Sequence, residues 1–200
     1  MTDRFTLINT ATFRQDIKKS CFIALAAPIA SEADAKQFLT ESAATDAGHN
    51  CWAWRLGQAY RFSDDGEPSG TAGKPILQAI DGQNLDGVVV NVSRWFGGVL
   101  LGSGGLIRAY GGTAAQCLRN AEKAQLIAMS TVKITVPFED VAPLQARIPT
   151  FPYASISAQD FTATGANLTI AVARDAAEEL RAYAINSTRG RALVFAQDES

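Results

Sequence analysis

Five glycines fall between residues 97 and 105, directly ahead of an apolar, helix-compatible run. Each lets the backbone take a positive φ or approach a partner closely, at an entropic cost of roughly 0.5–1 kcal/mol relative to alanine. The stretch Arg94-Trp95-Phe96-Gly97-Gly98-Val99-Leu100-Leu101-Gly102-Ser103-Gly104-Gly105 therefore constrains the fold. Its backbone must aim N–H groups at an anion or lie against another backbone. A second stretch of loop chemistry, Ser63-Asp64-Asp65-Gly66-Glu67-Pro68-Ser69-Gly70-Thr71-Ala72-Gly73, also ends where a helix-compatible run begins. Candidate functional residues concentrate in these two loops.

Hydrophobic spacing organises the rest. Residues 21–26 read as a strand stopped by Pro28, and Ser31 with Asp34 gives a capping-box pattern for a helix to about residue 47, ended by Gly48. Residues 50–56 set Cys51, Ala53 and Arg55 on one face and Trp52, Trp54 and Leu56 on the other, a half-buried strand with residues 60–62 as its hairpin partner. A short helix over 73–79 and a β-branched central strand over 87–92 follow. Leu106, Ile107, Tyr110, Ala114, Cys117, Leu118 and Ala121 form a stripe that predicts a long helix over 103–125, with Arg108, Gly112, Ala115 and Arg119 opposite it. Gly111-Gly112 inside this helix costs about 1 kcal/mol per glycine relative to alanine. That points to close approach of a strand or helix, or to a kink. Beyond residues 128–130 the pattern restarts: strand 132–136, helix 141–148, strands 154–161 and 167–173, helix 176–185, strand 192–195. The β-α-β-β-α-β order is the split βαβ, ferredoxin-like arrangement. The fold class is α+β, with domains 1–128 and 129–200.

Charge narrows the function classes. The formal net charge is −2; residues 1–128 hold 12 basic and 12 acidic side chains, and residues 129–200 hold 6 and 8. Neither half is basic, so nucleic-acid binding through bulk charge is disfavoured and any polyanion site must be a local patch. The opening Met1-Thr2-Asp3-Arg4-Phe5 has no leader pattern, and no apolar run approaches the ~18 residues of a membrane span. Cys21, Cys51 and Cys117 are odd in number and lie in apolar segments, as buried free thiols in a reducing compartment would. The expected location is the cytoplasm, with no membrane association.

Asp64, Asp65 and Glu67 place three carboxylates within four residues. Such a cluster can hold Mg²⁺ or share a proton, but its spacing does not fill an EF-hand loop. The simpler reading is a turn in which Asp64 caps backbone N–H groups and Glu67 pairs with Arg94 or Arg108. No resident metal or cofactor is expected. Ser69 shares the loop, and Thr71 is a candidate N-cap or phosphate contact for the helix after it. Gly97, Gly98, Gly102, Ser103, Gly104 and Gly105 open the long helix and offer free N–H groups at the positive end of its dipole. The lone histidine, His49, stands two residues before Cys51 on the same strand face. A Cys–His pair there would be a nucleophile and its base; a structural histidine beside a buried thiol is the plainer alternative. Trp52, Trp54, Trp95 and Phe96 are core residues by type, although one exposed member beside Arg94 would make a stacking surface for bases. The two loops are expected to face each other with Arg94, Arg108 or His49 between them, because clustered carboxylates repel unless cations lie within ~4–6 Å.

Four segments, taken together, resemble the IMPACT (YigZ) family: His49-Asn50-Cys51-Trp52-Ala53-Trp54-Arg55, the whole acidic loop 63–73, Arg94-Trp95-Phe96-Gly97-Gly98, and Leu101-Gly102-Ser103-Gly104-Gly105-Leu106-Ile107-Arg108-Ala109-Tyr110. They run in order through the heart of residues 18–125. Length and C-terminal pattern are similar to the bacterial two-domain type, whose small C-terminal domain looks like domain V of elongation factor G. The resemblance implies a ribosomal protein S5 domain 2-like fold for the N-terminal domain, shared with domain IV of that factor and with small-molecule kinases of the galactokinase–homoserine kinase type. It implies a translation-linked role, with RNA, ribosomal components or a protein as partner. Gly111-Gly112 and the tryptophans at 52 and 54 depart mildly from the family pattern. The eukaryotic members' competition for an activator of an initiation-factor kinase does not carry over to a bacterial-type chain, and no catalytic set is implied. The rival expectation is an enzyme, or a small-anion- or nucleotide-binding protein, with the glycine loop as a phosphate cradle and Asp64, Asp65 or Glu67 supplying Mg²⁺ or a base.

Overall fold

The computed structural model describes residues 4–195; residues 1–3, part of the opening segment read for a leader, and residues 196–200 lie outside it. Contacts divide the chain into two compact units, Met1–Leu126 and Ile127–Ser200. The architecture is mixed α and β throughout.

The first unit opens with two strands that hydrophobic spacing did not announce, β1 (Arg4–Leu7) and β2 (Ala11–Ile17). It continues through β3 (Ser20–Pro28), α1 (Glu32–Ser42), β4 (His49–Leu56), β5 (Ala59–Ser63), α2 (Gly73–Asp81), β6 (Val88–Trp95), α3 (Ser103–Asn120) and β7 (Lys123–Leu126). Five strands form an antiparallel sheet in the order β2-β3-β6-β4-β5, and β1 pairs with β7 in a separate ladder. The central position of β6 explains its run of valines. Val88, Val90 and Val92 enter the core beneath α2 and α3, while Val89 enters a second core with Ala35, Phe38 and Leu39 of α1. Strand β4 is covered on both faces and not half-buried as expected: Cys51 and Ala53 join the first core, and Trp54, Trp52 and Leu56 join the second.

Two helices end earlier than their sequence pattern. Helix α1 begins at the predicted capping box, with Ser31 and Asp34 each accepting from the other's backbone N–H. It stops at Ser42 because Asn50 captures the next turn: its side chain accepts from Ala44 N–H at 2.9 Å and donates to Ala44 C=O at 3.1 Å. Asn91 then donates to the Ser42 carbonyl at 3.0 Å, satisfying a helix-end acceptor. Helix α3 stops at Asn120, where Ala121 turns extended, and Lys123–Leu126 pairs with Leu7–Arg4 instead of continuing the helix to residue 125. The buried stripe of α3 is Leu106, Ala109, Tyr110, Thr113, Ala114, Cys117 and Leu118, so Ile107 falls one step outside it and is exposed. Close approach accounts for Gly111, where a Cβ would lie 3.3 Å from Pro75 Cβ of α2.

The second unit runs β8 (Met129–Pro137), α4 (Phe138–Arg147), a 3-10 turn at Ile148–Thr150, β9 (Ser155–Phe161), β10 (Gly165–Ala173), α5 (Ala177–Ser187) and β11 (Leu193–Phe195). Its antiparallel sheet has the order β11-β8-β10-β9. Alternate residues Val132, Ile134 and Val136 of β8 and Leu168, Ile170 and Val172 of β10 meet Val141 and Leu144 of α4 and Leu180 and Ala184 of α5. No helix among the described residues is long and apolar enough to cross a membrane.

Candidate functional site

Strand parity decides where Arg94 goes. Expected within the glycine loop, it is instead the penultimate residue of β6 and shares the face of Val88, Val90 and Val92. Its guanidinium therefore enters the core, and the residue is only 6% exposed. Glu67 of the acidic loop meets it there: Arg94 Nη1 donates to Glu67 Oε1 at 2.6 Å, and the Tyr110 hydroxyl of α3 donates to the same oxygen at 2.7 Å. Arg94 Nη2 reaches Ser20 Oγ at 3.4 Å, and its Nε has no partner among the described residues. The guanidinium carbon lies 5.6 Å from the Phe22 ring centre and 5.5 Å from that of Phe96. Burial first, and then the neighbouring Cys51, pushes the Tyr110 phenol far above its ordinary pKa, so the hydroxyl stays a donor.

The three loop carboxylates diverge. Asp64 Oδ1 accepts from the N–H groups of Ala72 at 3.0 Å and Gly73 at 2.8 Å, and Oδ2 accepts from Gly70 at 2.8 Å. Burial alone would raise its pKa, but these donors together hold the carboxyl below its ordinary value. Asp64 thus shapes the start of α2. The N-cap position is Ala72, not Thr71, whose hydroxyl donates to Pro68 C=O at 2.6 Å. Asp65 takes a positive φ of 42° and its Oδ2 accepts from Asn50 N–H at 2.5 Å. Glu67 turns into the core, and Ser69 is exposed. With each carboxylate facing a different way, no group of three or more histidine, cysteine, aspartate or glutamate side chains converges on a metal position among the described residues.

His49 and Cys51 do share a face, but each bonds to the acidic loop's backbone. His49 Nδ1–H donates to Asp65 C=O at 2.7 Å, which turns Nε2 toward Glu67 Oε1, 4.0 Å away. The fully buried Cys51 thiol donates to Asp64 C=O at 2.9 Å, and burial pushes its pKa up to about 12. Burial and the bonds of both side chains to the loop backbone leave His49 and Cys51 arranged as structural groups and not as a hydrogen-bonded nucleophile and base.

The glycine loop does two different things. A Cβ on Gly97 would lie 1.8 Å from the Lys19 carbonyl oxygen, so this glycine exists for backbone packing against the β2–β3 turn. Gly98 and Gly102 take positive φ values of 81° and 72°. Gly102 caps α3, whose first intrahelical bond runs from Leu106 N–H to Gly102 C=O at 2.9 Å. That geometry leaves the N–H groups of Ser103, Gly104 and Gly105 without intrahelical acceptors. Phe96 and Leu100 stand 57% and 84% exposed beside this opening. Phe96 is thus the exposed aromatic residue beside Arg94.

The expected convergence is split. Arg94 and His49 meet Glu67, whereas Arg108 is exposed and lies with Lys18 and Gln15 along a groove between β2 and α3. Its Nη1 would be 3.6 Å from a Cβ on Gly104, which puts the guanidinium back over the first turn of α3. No carboxylate pairs with it among the described residues. Sequence reasoning missed Tyr110 as a polar partner, Asn50 and Ser93 as a linked pair (Ser93 Oγ donates to Asn50 Oδ1 at 2.7 Å), and Lys18. The legible signal was parity: Arg94 continues the alternation of three valines.

The Impact N-terminal domain model matches residues 18–118, half of the chain and the span that carries both loops. The chain belongs to the IMPACT family. An IMPACT family member from Thermus thermophilus is 54% identical over 125 residues, covering 62% of this chain and 69% of that one. The Escherichia coli family member YigZ is 45% identical over 115 residues, covering 54% of this chain and 56% of its own length. A crystal structure of a hypothetical protein matches 100% of both chains at a TM-score of 0.69 and 31% identity.

Proposed function

We propose that this IMPACT family chain is a translation-linked RNA- or ribosome-binding protein of the cytoplasm, with the exposed start of α3 as its contact surface. One observation carries the reading: of the two arginines flanking the glycine loop, Arg94 is tied to Glu67 inside the core, while Arg108 is exposed and has no carboxylate partner among the described residues. An exposed cation that supports neither packing nor an ion pair is available to an anion. Lys18 and Lys19 are exposed on the β2–β3 turn, and the N-terminal N–H groups of α3 add to the local positive potential. Phe96 and Leu100 give that surface apolar area on which bases stack. The near-neutral chain charge fits a local, salt-sensitive patch and not a broad basic face. Asp64 and Glu67 favour binding over catalysis, since both carboxylates already hold internal donors.

The same reading takes the first unit as ribosomal protein S5 domain 2-like and the second as ferredoxin-like, similar to domain V of elongation factor G. The strand order β11-β8-β10-β9, with helices after the first and third strands of that unit, supports the second assignment. Co-sedimentation with ribosomal fractions at low and moderate salt tests the function. The protein should travel with ribosomes or their RNA at low salt and be released at moderate salt, with Arg108→Ala released earlier. Absence from those fractions at both salts, with no mobility shift of RNA, would end the reading.

A further inference from the structure

Gly112 has no structural reason to be glycine. Beyond its own helix backbone, no atom of the described residues lies within 4 Å of where its Cβ would stand, in contrast to Gly111 beside it, and its φ is not in the left-handed region. Glycine in a helix interior is disfavoured relative to alanine. Packing inside the protein does not offset that, so the open space itself is the feature. Gly112 lines a groove of about 330 Å³ between the end of β2 and α3. That volume falls within the range of small-ligand sites.

The other lining groups have a definite chemistry. Lys18 and Arg108 supply two exposed cations. Ile17 and Leu101 supply apolar surface, and Gln15 and Gln116 supply amides that can both donate and accept. Gln15 is held in place, since its amide nitrogen donates to Thr113 Oγ1 of α3 at 2.6 Å. A phosphate satisfies the two cations. A flat ring satisfies the narrow apolar strip where Gly112 leaves the helix backbone uncovered, and ring nitrogens and carbonyls satisfy the amides. A lipid chain would need a longer apolar channel than this mixed lining gives.

We propose that this groove is a subsite for one nucleotide unit, with its phosphate between Lys18 and Arg108 and its base against Ile17 and the bare helix at Gly112. The proposal rests on the RNA-binding reading above and locates one residue of that RNA. The unit can be part of a single strand or a free nucleoside monophosphate.

Gly112→Ala and Gly112→Leu separate the two ideas, because they fill the groove while favouring the helix. Fluorescence anisotropy with a short labelled single-stranded oligoribonucleotide, and a thermal-shift series with the four free nucleoside monophosphates, would be run on the intact chain and both variants. The expected result is that Gly112→Ala melts at or above the wild-type temperature yet binds the oligoribonucleotide less well, and that Gly112→Leu weakens it by roughly tenfold or more, the scale of one lost base stack. Binding of the free monophosphates that is lost in the same variants would support the groove and assign it to a free nucleotide. Oligoribonucleotide binding unchanged in a folded Gly112→Leu protein, with no monophosphate binding that the variants lose, would overturn the groove while leaving the RNA reading intact. No binding of either probe by the wild-type protein at low salt would overturn both.

Discussion

Glu67→Ala is expected to cost the first unit about 4 kcal/mol. The glutamate side chain is 4% exposed and its Oε1 accepts from both Arg94 and Tyr110. Removing the carboxylate strands a guanidinium on a side chain that is itself 7% exposed, whose remaining polar contact is a long 3.4 Å bond to Ser20. Breaking one side of a buried ion pair costs roughly 3–5 kcal/mol, and the orphaned Tyr110 hydroxyl adds about 1 kcal/mol. Contact of the guanidinium with Phe22 and Phe96 and entry of water offset part of this. Because the cost comes from stranding a charge, Glu67→Leu combined with Arg94→Met should be less damaging than either Glu67→Leu or Arg94→Met alone. Urea unfolding followed by tryptophan emission is the suitable assay, since Trp52, Trp54 and Trp95 all lie in the first unit and report on it alone. A Glu67→Ala loss below about 1 kcal/mol, the scale of a solvated surface pair, would refute the buried pair.

Asp64 makes stability depend on acid. Its folded pKa is depressed by Gly70, Ala72 and Gly73 N–H donors, so its contribution is present above the unfolded value near ~3.9 and lost as pH falls through the folded value. Asp64→Asn should therefore be less stable than wild type at neutral pH, with the gap closing in acid; a gap independent of pH would contradict this. Leu106→Ala, at a buried position of α3, should cost roughly 2–5 kcal/mol by leaving a cavity, whereas Arg108→Ala should change stability by less than about 1 kcal/mol. Equal losses in urea titrations would show that Arg108 is a packing residue. Cys51 and Cys117 should resist an aromatic disulfide reagent in the native state, since burial raises the former to about 12 and the latter to about 11, while the half-buried Cys21 reacts first. Early labelling of Cys51 would revive a nucleophilic role.

What the sequence disclosed and what it hid have physical causes. Helical and β-branched periodicity marked α2, β3, β6 and the elements of the second unit because burial on a fixed face writes a period into the chain. Edge and ladder strands write a weaker one: β2 alternates only half-buried with exposed residues, and β1 and β7 are four residues each. Helix ends were misjudged where a distant side chain decided them. Asn50 is six residues from Ala44 in sequence and belongs to another element. In the candidate site, the capping by Asp64 and the pairing of Glu67 with Arg94 were readable from local charge. The separation of Arg94 from Arg108 was not, because it depends on how far β6 extends before the glycine loop begins.

The salt dependence of single-stranded RNA binding by wild-type and Arg108→Ala protein tests the central claim most directly. If Arg108 meets a phosphate, its loss should weaken binding at every salt and reduce the slope of log affinity against log salt by about 0.7, one phosphate contact on a single strand. Identical affinities and slopes, or no RNA binding at all, with both proteins folded by tryptophan emission, would contradict the proposal that Arg108 at the start of α3 contacts RNA.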